Sequence, residues 1–178
     1  MKDFISRIIR AARLDVTLYE EVEGDKGSLN QAMVVVILSS AAGGVANVGG
    51  TGLGGTIIGI IISLVGWFVW AFLTYVIGTR LLPEPQTSSD PGELLRTIGF
   101  SSAPGLIRVL GIIPFLLKPV FIIASIWMLA AMVVAVRQAL DYRSTWRAAG
   151  VCVIGWFIQL LIIALMLWLF AGTAAKTL

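Results

Sequence analysis

Histidine is absent from this 178-residue chain, and cysteine occurs once, at Cys152. The first absence removes the side chain that most often serves as general base or metal ligand near neutral pH. The second rules out an internal disulfide and any CxxC site. Together they exclude the usual zinc and copper centres, which draw on several thiolates or imidazoles. Charge is scarce as well: Asp, Glu, Lys and Arg make up 13% of the chain, against about 25% in a soluble domain. No metal and no cofactor is expected.

Apolar residues fill the gap. They account for 58% of the chain, and the mean hydropathy is +0.94. A water-soluble fold has too little polar surface to cover such a core, so an all-α integral membrane protein is expected. A crossing helix needs roughly 20 mostly apolar residues. Five runs approach this, at about 32–48, 56–79, 98–114, 119–136 and 148–171. The third is the weakest, being short and carrying Arg108. The expected organisation is an N-terminal segment over 1–30, a five-helix membrane domain over 31–172 and a short outer tail over 173–178. No secretory leader is expected before the first run.

The basic residues orient the bundle. With five crossings, one face collects Lys2, Arg7, Arg10, Arg13, Lys26, Arg80, Arg96, Arg137, Arg143 and Arg147, and the other only Lys118 and Lys176. The basic face should be cytoplasmic, which places the N-terminus inside and the C-terminus outside. Were 98–114 re-entrant rather than crossing, Arg137, Arg143 and Arg147 would fall on the outer face. The count therefore favours five crossings over four.

Residues 2–13 place Phe4, Ile5, Ile8, Ile9 and Ala12 on one helical arc, opposite Arg7, Arg10 and Arg13. Such a helix suits the inner headgroup layer, its arginines drawn to anionic lipid. Alternatively it packs on the domain's own surface. Glu20, Glu21, Glu23 and Asp25 follow, as a solvated turn or as a docking patch for a basic partner. Ser28-x-x-Gln31 fits a capping box before the first run. Asp90-Pro91-Gly92-Glu93 reads as an N-cap, a proline at the first helical position and a reciprocal glutamate. Residues 43–55 hold seven glycines in thirteen positions. With no P-loop pattern, they read as a flexible hairpin between the first two spans.

Little supports catalysis. All ten acidic residues lie outside the apolar runs. The span serines Ser39, Ser40, Ser63, Ser101 and Ser125 have no histidine base and no GxSxG elbow. Cys152 reads as a small packing residue. Arg108 stands out: at about 1.5 Å per residue it lies about 15 Å into its run, near the bilayer centre. Gln159 has a similar depth in the fifth run. Arg108 is expected either to face the interior and bond Gln159 or a carbonyl freed by Pro104, or to snorkel to an interface. Gly55, Gly59 and Ser63 form a small-residue stripe suited to close helix packing or to homo-dimerisation. Trp67, Trp70 and Phe72 read as packing or lipid-facing bulk, Trp156 as a loose inner belt and Trp168 as an outer one.

The order of these features resembles bacterial members of the Yip1-domain family. The resemblance rests on Arg13-Leu14-Asp15 with Tyr19-Glu20-Glu21-Val22 and Gln31-Ala32, on 95–105 with its Ala103-Pro104 pair, and on Val136-Arg137-Gln138-Ala139-Leu140-Asp141 before a last apolar run. It implies a five-span bundle with a cytoplasmic N-terminus. Eukaryotic relatives are linked to vesicle traffic and prenylated small GTPases and carry longer N-terminal regions, so that role does not transfer here. The expected function is non-enzymatic: organising or shaping a bacterial inner membrane, or scaffolding other membrane proteins. The alternative is a small transporter, channel or lipid-moving protein with a polar path at Arg108 and Gln159. Expected partners are the bilayer, with anionic lipid at its inner face, and membrane proteins or a second copy, but no nucleic acid.

Overall fold

The computed structural model describes the backbone of residues 2–174, and side chains from 3 to 164 except those of 48, 49, 51, 114 and 163. Among the described residues there are helices and connections and no strand. The α-helices are α1 (Lys2–Ala12), α2 (Val16–Gly24), α3 (Leu29–Ala46), α4 (Val48–Val76), α5 (Pro91–Phe100), α6 (Leu117–Ala139) and α7 (Thr145–Ala174). A 3-10 turn at Lys26–Ser28 leads into α3, a π-helical turn at Ile77–Leu81 ends α4, and a 3-10 stretch at Ala103–Ile112 follows α5. The expected tail beyond residue 174 lies outside the described residues.

Four described helices are long and apolar enough to cross a membrane: Lys26–Ala46, Gly52–Leu81, Leu117–Ala139 and Thr145–Ile162. They match the first, second, fourth and fifth expected runs. Their outer faces carry exposed Ile57, Ile61 and Ile62 on α4, Ile122 and Ile126 on α6, and Phe157 and Leu161 on α7. Hydrocarbon suits such a belt and water does not.

The third expected run is not one α-helix. The helix begins early, at Pro91, under the anticipated cap. The Asp90 carboxylate accepts from the amides of Gly92 at 2.6 Å and Glu93 at 3.0 Å, and Glu93 accepts from the Asp90 amide at 2.8 Å. It ends at Phe100 because Pro104 has no N–H to offer that carbonyl, and the chain tightens into the 3-10 stretch. The broken segment still tracks α3 in the same direction. A Cβ on Gly99 would lie 2.7 Å from that of Ala32, Gly105 sits against Ser39, and a Cβ on Gly111 would lie 3.1 Å from that of Ala46. α6 returns antiparallel, with Met128 beside Gly105 and Leu117 beside Gly111.

Two further local readings are corrected. Residues 43–55 are not a flexible hairpin: α3 and α4 absorb them, with Asn47 between. The break falls inside α4 at Gly52, where φ is +66°, a left-handed backbone open to glycine without a Cβ penalty. Ser28 does not cap α3. Its hydroxyl donates to the Val22 carbonyl at 3.0 Å, and Gln31 accepts from Arg7 at 3.0 Å instead.

The core lies toward the N-terminal face, where α2 wedges against α5 and α6. Leu18, Tyr19 and Val22 of α2 are fully buried there with Leu94 and Phe100 of α5 and Val136 and Ala139 of α6. α1 folds back over α2, and its basic face meets the acidic stretch rather than open solvent. Arg7 pairs with Glu21 at 2.8 Å and Asp25 at 3.0 Å, and Arg10 with Asp15 at 2.8 Å and Glu21 at 2.6 Å. The Arg10 bond, with help from Thr17, holds the Asp15 carboxyl down at about 2. Phe4, Ile8 and Ala12 pack on the core, Ile5 and Ile9 stay exposed, and Trp127 donates to the Ala12 carbonyl at 2.7 Å. Arg13 is exposed, with no ion pair among the described residues.

Arg96 fastens α5 to α2. It is 5% exposed and donates to the Val22 and Glu23 carbonyls at 3.0 and 3.1 Å through Nε, and again to Glu23 through Nη2. The Glu23 carboxyl beside it is half-buried. Burial first, then the charges of Asp141, Glu93 and Glu20, outweigh Arg96 and push it from 4.5 to about 7. An acid whose folded value lies above its unfolded one holds the fold best while protonated. Its contribution is complete below 4.5 and is lost as pH climbs to about 7. Glu23→Gln is therefore expected to stabilise the protein by about 1–2 kcal/mol at pH 8, after allowance for solvent screening. The gap should close near pH 5 in detergent melting curves. An equal gap at both pH values would overturn this account of Glu23.

Candidate functional site

Away from that core the helices part. Small side chains on the inner faces of α3 and α4, Ser39, Ser40, Ser63 and Gly66, leave space that no bulky neighbour fills among the described residues. The result is a cavity of about 760 Å³ enclosed by α3, α4, the broken segment, α6 and α7. That size falls within the range of about 300–1,000 Å³ usual for ligand sites. Trp67 and Trp70 form one wall, Met128 and Met132 of α6 another. On the side between α6 and α7, lining residues Ile126, Leu129, Trp156 and Leu160 are themselves exposed, so the cavity opens sideways.

Arg108 and Gln159 both line this space. No hydrogen bond joins them among the described residues, so the expected direct pair does not form. They also sit at different levels. The Arg108 side chain lies against Gly43, near the end of α3, and over Phe121, near the start of α6, with Cζ 5.5 Å from the ring centre. Gln159 is one turn beyond Gly155, which packs on Trp70 and Ile77 closer to the N-terminal face. Arg108 is thus farther along than the mid-span estimate for two reasons. The segment has already begun at Pro91, and a 3-10 stretch rises about 2.0 Å per residue instead of about 1.5 Å. The cation–π contact supplies some stabilisation, but Arg108 Nε is buried with no acceptor among the described residues. Trp70 Nε1 is in the same condition.

The other singled-out residues fall into place around the site. Ala103 and Pro104 are buried at the start of the 3-10 stretch and set the path that delivers Arg108. The stripe of Gly55, Gly59 and Ser63 does not make a close helix contact at its centre: a Cβ on Gly59 would meet nothing within 4 Å, and Ser63 faces the cavity. Close approaches occur instead at Gly44, Gly99 and Gly105. Trp67 is buried and donates to the Leu95 carbonyl at 3.0 Å, Trp70 is buried, Phe72 and Trp156 are exposed, and the Trp168 side chain lies outside the described ones. Cys152 is 4% exposed, in the packing position expected of it. The Ser125 hydroxyl donates to the Phe121 carbonyl at 2.7 Å.

A family model of the Yip1 domain matches residues 17–170, from α2 into α7. The chain belongs to the Yip1-domain family. No curated protein and no solved structure matches it. Family and apolar helices together make this a multi-pass membrane protein. In this Yip1-domain chain α1 precedes the matched region, whereas every residue named on the cavity wall falls inside it. Sequence reasoning missed the cavity and Trp70's place on it. The available signal was the small residues Ser63 and Gly66 on one side of α4, which line the void.

Proposed function

We propose that this chain is a non-enzymatic membrane protein that takes an amphiphile of the bilayer into its interior, as a lipid-moving or lipid-presenting device. The sideways-open cavity carries this reading. A route for water-soluble cargo would open toward the two aqueous faces, whereas this mouth is rimmed by Ile126, Leu129 and Leu160, side chains that suit acyl chains. Gln159 and the serines give the wall enough polarity for a headgroup.

The proposal includes five crossings in a bacterial inner membrane, with the N-terminus cytoplasmic. Contacts on one face support it. Gln86 donates to the Asp141 carbonyl at 3.1 Å, Arg147 to that of Pro83 at 2.9 Å, and Gln138 to Glu20 at 2.9 Å. The 80–90 and 140–147 loops therefore share the side that bears α2. A chain leaving that side at Pro91 and returning by Ala139 crosses an even number of times, out along the broken segment and back along α6. Reporter fusions should place Arg80 and Ser144 on one side and residue 114 on the other; the same side for all three ends the five-crossing reading.

Vesicles test the function. Wild-type protein in liposomes should speed exchange of a fluorescent lipid between leaflets. Gly66→Phe should return the rate to that of protein-free vesicles, because a side chain at Gly66 meets nothing within 4 Å and grows into the cavity. A wild-type rate equal to the protein-free rate sinks this reading. It would leave the membrane-organising one, which exposed Ile5 and Ile9 on α1, with Arg13 just past its end, favour.

A further inference from the structure

Two donors on the cavity wall lack acceptors among the described residues. Arg108 Nε is buried and unpartnered, and Trp70, 8% exposed, has an indole N–H in the same state. Native proteins leave few such groups unsatisfied, because each forfeits its hydrogen bond with water. The wall also offers the hydroxyls of Ser39 and Ser102, while no described residue lining it is acidic. A guanidinium so placed has a ring beside it and no counter-ion among the described residues. The missing partner must bring acceptor oxygens and negative charge. The exposed apolar mouth asks the same molecule for hydrocarbon.

From this juxtaposition of Arg108 and an apolar mouth, we infer that the cavity binds a lipid through its phosphate, the phosphate oxygens accepting from Arg108 and the acyl chains leaving between α6 and α7. This rests on the amphiphile reading above and names the chemistry of the headgroup. Arginine suits the task, since its planar donor fork meets a phosphate at two points. Arg108 lies toward the end of α3 and the start of α6, so the lipid enters from the leaflet on that side.

Native mass spectrometry of the full chain in neutral detergent tests this with three probes: phosphatidylglycerol, diacylglycerol of the same chains, and inorganic phosphate. Wild-type protein should hold phosphatidylglycerol about tenfold tighter than diacylglycerol or more, as expected for a charge-assisted bond. Arg108→Gln should erase the preference and Arg108→Lys keep part of it. The comparison of lipids on wild-type protein, with the lysine variant, decides the matter even if Arg108→Gln fails to fold. Equal binding of both lipids, abolished by Gly66→Phe, overturns the phosphate inference and leaves the amphiphile reading standing. Lipid binding indifferent to Gly66→Phe overturns both. Inorganic phosphate binding as tightly as phosphatidylglycerol, and lost in Arg108→Gln, overturns the lipid as source and makes the ligand a free anion.

Discussion

Gly99→Val is expected to abolish the folded protein in mild detergent. A Cβ at position 99 would already lie 2.7 Å from the Cβ of Ala32 and 3.2 Å from its Cα and carbonyl carbon. Those atoms belong to the frame of α3 and have no rotamer by which to retreat. Ile98 and Phe100 on either side are buried, so α5 cannot rise away without exposing them. Overpacking of this kind costs about 1–3 kcal/mol for modest additions; three added carbons against backbone exceed that range, within a total stability of about 5–15 kcal/mol. Gly59→Ala is the control, since its Cβ would meet nothing within 4 Å. Size-exclusion chromatography after a temperature ramp should show loss of the Gly99→Val peak and an unchanged Gly59→Ala. Wild-type melting of Gly99→Val would refute the close approach of α5 and α3.

Arg96→Met is expected to cost about 3–5 kcal/mol, the range for stripping one partner from a buried charged contact. The guanidinium satisfies the last carbonyls of α2, where the helix dipole leaves negative charge, and water does not replace it at 5% exposure. Methionine fills the volume and leaves Val22 and Glu23 without their donor. The loss should be local before it is global. Limited proteolysis is expected to cut between α2 and α3 while the apolar helices stay protected. Arg96→Lys should recover only part, because one ammonium does not replace a fork spanning two carbonyls. Proteolysis unchanged from wild type in Arg96→Met would show that packing alone holds α2.

The residues that announced themselves in the sequence acted locally. The Asp90 cap, the amphipathic 2–13 helix and four long apolar runs each follow from neighbours within a few turns, and each is present. Pro104 announced a break, but whether a break ends a crossing depends on α3, far away in sequence. Arg7 and Arg10 looked like lipid-facing cations because periodicity places them on a face and is silent on what covers it. The cover is Glu21, which a basic stretch followed by an acidic one could have suggested. Arg108 and Gln159 stand out in the sequence for polarity in apolar runs, and both line one cavity. Their levels depend on 3-10 rise and on the early start of α5, which hydropathy does not encode. The cavity itself is a difference between side-chain volumes on five segments, and no window along one segment contains it.

The broken segment has a consequence for biogenesis. With Arg108 in it and α-helical hydrogen bonding interrupted at Pro104, it is a poor substrate for partitioning alone from a translocation channel into lipid. Its parallel run beside α3 supplies what it lacks, because Ala32, Ser39 and Ala46 already stand along the route when it emerges from the ribosome. A nascent chain halted before α6 would have this segment and no clamp on its other side. Insertion of the middle of the molecule is thus an act of tertiary assembly, governed by the order of synthesis as much as by the greasiness of any one stretch.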